Sequence, residues 1–297
     1  MTQNFGCETA DNDENGYAST KLSMAKTVAE NPYKTLTAWN NSAFGDFMID
    51  LHCHFLPGVD DGSRSLEDAL ALASASVANG IRIAVLTPHV YPTVFNNALS
   101  SLLPVFAKFR AALKQADIPL TVYLGGEIHL HPDVFDLLAG DNLPILGNLD
   151  AYRIVLLEFP DGHIPAGAMA ACQYFADNGV RLLLAHPERN KEVMRDPMRI
   201  KPFVDAGCML QVTAGSIIGR FGPQALKAAH HLLAQGLVSV VATDSHNLAH
   251  RPPLLREARD AITQLYGAGL AHRLTEENPG RIVALRSEQS EQREVVP

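Results

Sequence analysis

Apolar residues in this chain gather in short unbroken runs, at 47–51, 82–87, 120–124, 153–157, 181–185, 208–212 and 237–243. Continuous rather than alternating apolar character is what a strand needs when both of its faces are covered. Between these runs lie longer stretches with helical spacing, at 65–79, 99–116, 164–178, 197–206 and 223–235. Glycine stands between helix and strand at Gly80, Gly179, Gly207 and Gly236, where a left-handed residue best ends a helix. Strands alternating with helices of this length predict an α/β fold with a parallel sheet and right-handed crossovers. Seven strands with no glycine-rich phosphate loop favour a closed or nearly closed barrel over a dinucleotide-binding sheet. Helices at 253–266 and 276–285 complete one domain over 47–286. Residues 1–46, rich in Asn, Asp, Thr and Ser without periodicity, read as a disordered extension, and 287–297 as a polar tail.

The residues able to hold a metal fall at the C-terminal ends of these strands, where barrel enzymes carry their active sites. The first strand ends in His52-Cys53-His54, whose two imidazoles leave one face of an extended backbone while Cys53 points away. Asp61 follows after a Pro-Gly turn and adds a hard oxygen. A His-x-His pair alone reads as two ordinary strand histidines; the rest of the rim changes that reading. Strand two ends at His89, strand three at Glu127, strand four at Glu158, strand five at His186, and strand seven at Asp244 and His246. Strand six, ending at Thr213, offers nothing obvious. Five imidazoles and four carboxylates exceed the needs of one ion and predict two or three divalent cations. The mixed nitrogen and oxygen set suits Mn, Fe or Zn. Arg189, three residues past His186, and Arg251, five past His246, offer guanidinium forks matched to the oxygens of a phosphate monoester.

Composition narrows the partners. Lys and Arg total 24 against 32 Asp and Glu, a formal charge of −8, which argues against nucleic acid or an anionic membrane as the main partner. No apolar run approaches the ~20 residues of a membrane-crossing helix, and the start lacks the apolar core of a signal peptide, so the expected location is cytoplasmic. The four cysteines, Cys7, Cys53, Cys172 and Cys208, show no C-x-x-C spacing, as expected in a reducing compartment. The sixth residue after each is Asp, Val, Asn or Ala rather than Arg, so a Cys-x5-Arg thiol phosphatase is excluded.

In combination, Met-Ile-Asp-Leu-His-Cys-His, Val-Asp-Asp-Gly, Leu-Thr-Pro-His, Gly-Gly-Glu-Ile, Leu-Leu-Glu-Phe, Leu-Leu-Ala-His-Pro-Glu-Arg and Ala-Thr-Asp-Ser-His-Asn resemble the PHP (polymerase and histidinol phosphatase) superfamily. Within it they resemble the bacterial protein-tyrosine phosphatases of capsule and exopolysaccharide synthesis, the CpsB/CapC type, over residues 48 to 265. The resemblance implies a distorted (β/α)7 TIM-like barrel, a trinuclear centre that often contains manganese, and as substrate the phosphotyrosine tail of a membrane-associated tyrosine autokinase. It also implies metal ligation by His52, His54, Asp61, His89, Glu127, Glu158, His186, Asp244 and His246, with Glu127 bridging and Arg189 and Arg251 binding phosphate. The chain departs from the family in its N-terminal extension, in Val90-Tyr91-Pro92 after His89, and in an extra pair, His129 and His131, expected beside the pocket or at the surface. The rival readings are a histidinol-phosphate phosphatase, a degenerate scaffolding module, and C–N hydrolysis of the amidohydrolase kind, which usually carries a strand-end Lys that this chain lacks.

Overall fold

Every apolar run becomes a strand whose register is set by its neighbour. In this computed structural model, which describes residues 47–283, the strands are β1 (Met48–Cys53), β2 (Ile81–Leu86), β3 (His89–Val90), β4 (Thr121–Leu124), β5 (Glu127–His129), β6 (Gly147–Leu149), β7 (Tyr152–Glu158), β8 (Val180–Ala185), β9 (Met209–Thr213) and β10 (Val240–Ala242). The extension expected over 1–46 and the tail over 287–297 lie outside the described residues.

Ten segments make seven staves of a barrel plus one hairpin strand. β2 and β3 form one stave interrupted at Thr87-Pro88, because proline has no N–H to give a ladder. β4 and β5 form another, interrupted at Gly125-Gly126, and the ladder crosses both breaks through Gly125 N to Leu86 O (2.8 Å) and Glu127 N to Pro88 O (3.1 Å). Parallel pairing then runs β1 to β2, β2 to β4, β3 to β5, β5 to β7, β7 to β8, β8 to β9 and β9 to β10. The ring closes between β10 and β1, where Asp244 N donates to His52 O (2.7 Å) and His54 N to Ser245 O (2.9 Å). The barrel is distorted where β6 lies antiparallel on β7. Sequence periodicity missed β6 because three residues are too few to show a pattern.

One apolar cluster, with Ile49, Leu51, Val85, Leu149, Leu156, Leu183, Met209 and Val240, draws on seven of the strands. A larger one packs helices against the barrel, through residues such as Leu72, Phe109, Phe175 and Leu232. The helix-ending glycines Gly80, Gly179, Gly207 and Gly236 all sit at positive φ, between 67° and 96°, as expected of left-handed caps. The helix expected over 164–178 occupies Ala168–Asp177, and that over 197–206 is split into Pro197–Ile200 and Lys201–Asp205. The last helix starts earlier than expected, at Ala268–His272, passes through a π turn at Arg273–Glu277 and continues to 283.

Candidate metal centre

β1 carries His52 and His54 to the barrel mouth with their Nε2 atoms 3.2 Å apart. The outer nitrogen of each ring is engaged. His52 Nδ1 donates to Gln211 Oε1 at 2.9 Å, and His54 Nδ1 to Asp60 Oδ2 at 2.7 Å. Those bonds fix the tautomers, so both Nε2 atoms face inward as lone pairs. Opposite them stand two buried carboxylates. Glu127 Oε2 lies 3.1 Å from His52 Nε2 and 3.3 Å from His54 Nε2, and Asp244 Oδ1 lies 3.3 and 3.4 Å away. Neither of these oxygens receives a hydrogen bond. Four electron-rich groups pointing at one place in a dry interior repel one another unless cations or protons sit among them.

Two further donor groups adjoin the first. His54, Asp61, His89 and His246 bring ligand atoms within 4.8 Å of one another, and so do His89, Glu127 and Glu158. His186 joins the latter, its Nε2 2.6 Å from Glu127 Oε1 and 3.8 Å from Glu158 Oε1. All nine sequence-identified side chains therefore meet at one mouth, and Glu127 belongs to two of the three groups. The three overlapping donor sets make one multi-residue site able to hold metal, and their oxygen and imidazole chemistry suits divalent ions of intermediate hardness.

The electrostatics are those of a site built for positive charge. Burial alone would raise the Glu127 carboxyl, yet His52, His89 and His186 hold it well below the usual carboxylate range. Burial would likewise raise Asp244, but Arg189, His52 and Arg251 hold it far down. Burial also works against a charged His54, yet Asp60, Asp244 and Glu127 push its value well up. His246 goes the other way, lowered to about 4 by burial and by the facing His54.

The backbone bends sharply at two of these positions. His186 (φ 32°, ψ 52°) and Asp244 (φ 52°) occupy the left-handed region without being glycine. Such conformations cost about 1–3 kcal/mol each and end β8 and β10 abruptly, turning both side chains into the mouth. Gly62 permits another close approach. A Cβ there would stand 2.2 Å from His54 O, so only glycine lets the Asp60–Asp61 loop fold over His54.

Arg189 Nη1 donates to Asp244 Oδ2 at 2.6 Å, and Arg251 Nη2 donates to the same oxygen. Arg251 Nη1 also reaches His246 Nε2 at 3.0 Å, while its Nε is buried without a partner. Both guanidinium groups lie over the ring of Phe221, at 4.9 and 6.0 Å from its centre. They border a cleft of about 650 Å³.

Several supporting residues escaped the sequence reading. Strand six does contribute, through Gln211, which orients His52 and accepts the His186 backbone N–H at 3.3 Å. Asp60, next to the expected ligand Asp61, orients His54 and accepts from His89 N at 3.0 Å. Asp50 accepts from Thr243 N (2.9 Å) and Thr243 Oγ1 (2.5 Å), tying β1 to the last stave beneath the site. Burial raises its carboxyl to about 6, although the Thr243 bonds work against the rise. Buried Glu188 accepts from Thr213 N (3.0 Å) and Ser216 Oγ (2.7 Å), anchoring the loop that carries Arg189. The available signal was a polar residue inside an apolar strand, at Gln211 and Asp50.

The extra histidines flank the centre as expected. His129 stacks on Tyr91 at 3.9 Å and reaches Glu158 Oε2 at 3.3 Å, while His131 is half-exposed beside Asp133. Cys53, Cys172 and Cys208 are buried thiols, Cys53 facing Val85 O at 3.5 Å, and Cys7 lies outside the described residues.

Against this geometry, the family model described as capsular polysaccharide synthesis, CpsB/CapC, matches residues 48–284. The chain belongs to the CpsB/CapC family. This CpsB/CapC member is 34% identical over 229 residues to the tyrosine-protein phosphatase YwqE of Bacillus subtilis, covering 77% of this chain and 89% of YwqE. It is 30% identical over 241 residues to the tyrosine-protein phosphatase CpsB of Streptococcus pneumoniae, covering 80% of this chain and 98% of that one. A crystal structure from work on YwqE and CpsB, described as unique metal-dependent tyrosine phosphatases, superposes with a TM-score of 0.74 at 33% identity, covering 80% of this chain and 94% of that one. The phosphotriesterase homology protein of Escherichia coli shares the fold alone, at 13% identity, a TM-score of 0.55, and coverage of 80% and 98%. Among the described residues of this CpsB/CapC chain, no helix is long and apolar enough to cross a membrane.

Proposed function

We propose that this CpsB/CapC member is a metal-dependent protein-tyrosine phosphatase, acting on the phosphotyrosine of a membrane-associated autokinase of capsule or exopolysaccharide synthesis. One observation carries the reading: unsatisfied Glu127 Oε2 and Asp244 Oδ1, facing the inward lone pairs of His52 and His54, lie directly beside paired Arg189 and Arg251. A cation cage next to two anion-binding forks is the equipment of phosphate monoester hydrolysis. The nine donors His52, His54, Asp61, His89, Glu127, Glu158, His186, Asp244 and His246 would hold two or three divalent ions, manganese foremost, with Glu127 shared between sites. Such ions, when bound, lower the pKa of water from 15.7 toward ~7 and so supply a nucleophile at neutral pH.

The chain's own residues do the rest. Gln211 and Asp60 keep protons on the outer nitrogens of His52 and His54, so the inner nitrogens stay free as donors of electron pairs. Arg189 and Arg251 bind the substrate phosphate and stabilise the charge that builds on its equatorial oxygens. Asp244 holds both guanidinium groups in place, and the Phe221 face beneath them limits their swing. A tyrosine leaves as phenolate, pKa ~10, and departs with little protonation, whereas an alkoxide requires a committed acid. The cleft wall beside the two arginines is mainly cationic and apolar, which favours the aryl ester. Residues 47–286 form the working domain, and cytoplasmic location fits the three buried free thiols.

Turnover of a phosphotyrosine peptide and of histidinol phosphate by the metal-loaded protein separates this reading from its rival. The peptide is expected to give the higher kcat/KM. Preference for histidinol phosphate would replace the proposal with the histidinol-phosphatase reading.

A further inference from the structure

The loop after β8 continues beyond the phosphate-binding residue. Asn190 caps the next short helix, its Oδ1 accepting from Glu192 N (2.9 Å) and Val193 N (3.4 Å). That helix, Lys191–Arg195, has Lys191 and Arg195 four residues apart, hence on one face. Both side chains are exposed, and both line the 650 Å³ cleft together with Arg189, Arg251, Phe221 and, as its acidic member, Asp161. No carboxylate among the described residues lies within ion-pair distance of Lys191 or Arg195. Nearby Arg199, by contrast, is paired with Glu192 at 3.0 Å. Two like charges one helical turn apart repel each other, and an anion between them relieves that repulsion. A protein with a net charge of −8 has thus left a cationic extension running outward from its two phosphate-binding arginines.

We propose that Lys191 and Arg195 form a subsite for an acidic side chain, carboxylate or second phosphate, close in sequence to the phosphotyrosine being hydrolysed. This inference rests on the phosphatase reading and names the substrate class of that site: phosphotyrosine in an acidic or multiply phosphorylated segment. Binding there adds Coulomb attraction across a partly solvated cleft, so its effect is modest and salt-sensitive.

The test uses the full-length, metal-loaded protein and phosphotyrosine peptides flanked by Glu, Gln, Lys or a second phosphotyrosine. The Glu peptide is expected to have a KM about 5-fold below that of the Gln peptide, the scale of one to two exposed ion pairs. At ~1 M salt, where the screening length is ~3 Å, that preference should vanish. In the double variant Lys191→Ala, Arg195→Ala the Glu-to-Gln ratio should fall to near one, and Arg195→Glu should shift preference toward the Lys peptide. A preference confined to Glu or to the second phosphotyrosine supports the subsite and assigns its ligand. Equal KM values across the charged and neutral peptides, or a double variant that keeps the preference, would overturn it. The same ratios read as Kd values with non-hydrolysable phosphonate peptides separate failure of the subsite from failure of the phosphatase reading.

Discussion

The donor cage and the cleft beside it differ first in burial. His52, His54, Glu127 and Asp244 are shut away from solvent, whereas the Arg189 and Arg251 side chains are 15% and 25% exposed and Lys191 and Arg195 lie open. The difference separates what must be retained from what must come and go. Repelling donors in a dry interior hold a cation tightly because releasing it leaves them uncompensated, while guanidinium groups that still reach solvent release an anion into water at smaller cost. The two regions meet at Asp244, whose Oδ1 faces the cage while Oδ2 holds both arginines, and at His246, whose Nε2 Arg251 also reaches.

The sharpest way to break this division is Glu127→Gln, which removes charge from two of the three donor groups. It should lower kcat/KM on the order of 10³-fold, and elemental analysis of the purified variant should find less bound metal. Arg189→Lys should lower kcat/KM by about 10²-fold, because an ammonium cannot present the bidentate fork. Its metal content should match the unaltered protein; loss of metal there would show that cage and cleft are one unit.

A weaker perturbation reaches the cage from behind. Gln211→Ala or Asp60→Asn should cost about 10–100-fold in metal affinity, measured by competition with a chelator, since each frees one imidazole to turn or change tautomer.

These supporting residues mark the boundary of what the sequence made legible. Eight of the nine donor positions were legible because each stands at or just past the end of an apolar run, where topology alone brings it to the rim, while Asp61, Arg189 and Arg251 were legible only as polar residues a few positions further along the same loops. Gln211 and Asp50 sit inside their strands, and their role depends on which neighbours the register sets opposite them, which no local pattern encodes. Asp60 and Asp61 adjoin in one loop, and only the fold over Gly62 decides that the first supports His54 while the second faces His89 and His246. Among the elements, the strands and long helices were visible in their periodicity. The β6 strand and the seven-residue helix Asp133–Ala139 were not, since pieces that short are fixed by packing rather than pattern.

The smallest expected effect concerns pH. Burial lowers both His52 and His54, but Glu127, Asp244 and Asp60 outweigh it, and each is held above its ordinary value of 6.5. A raised histidine stabilises fully below its unfolded pKa and loses that contribution as pH rises through the folded value. The Tm of chelated protein should therefore fall from about pH 6.5 upward, whereas cation-loaded protein should hold its Tm, the ions standing where the protons stood. Parallel Tm curves for the two forms would mean that the cage is not held together by positive charge at its centre.

The most direct test of the cage is elemental analysis of the purified protein, paired with phosphotyrosine-peptide hydrolysis before chelation, after it, and after manganese is restored. Bound divalent metal at more than one equivalent, loss of turnover with its removal, and recovery on its return are expected. Full turnover by a protein shown to be free of metal would contradict that expectation.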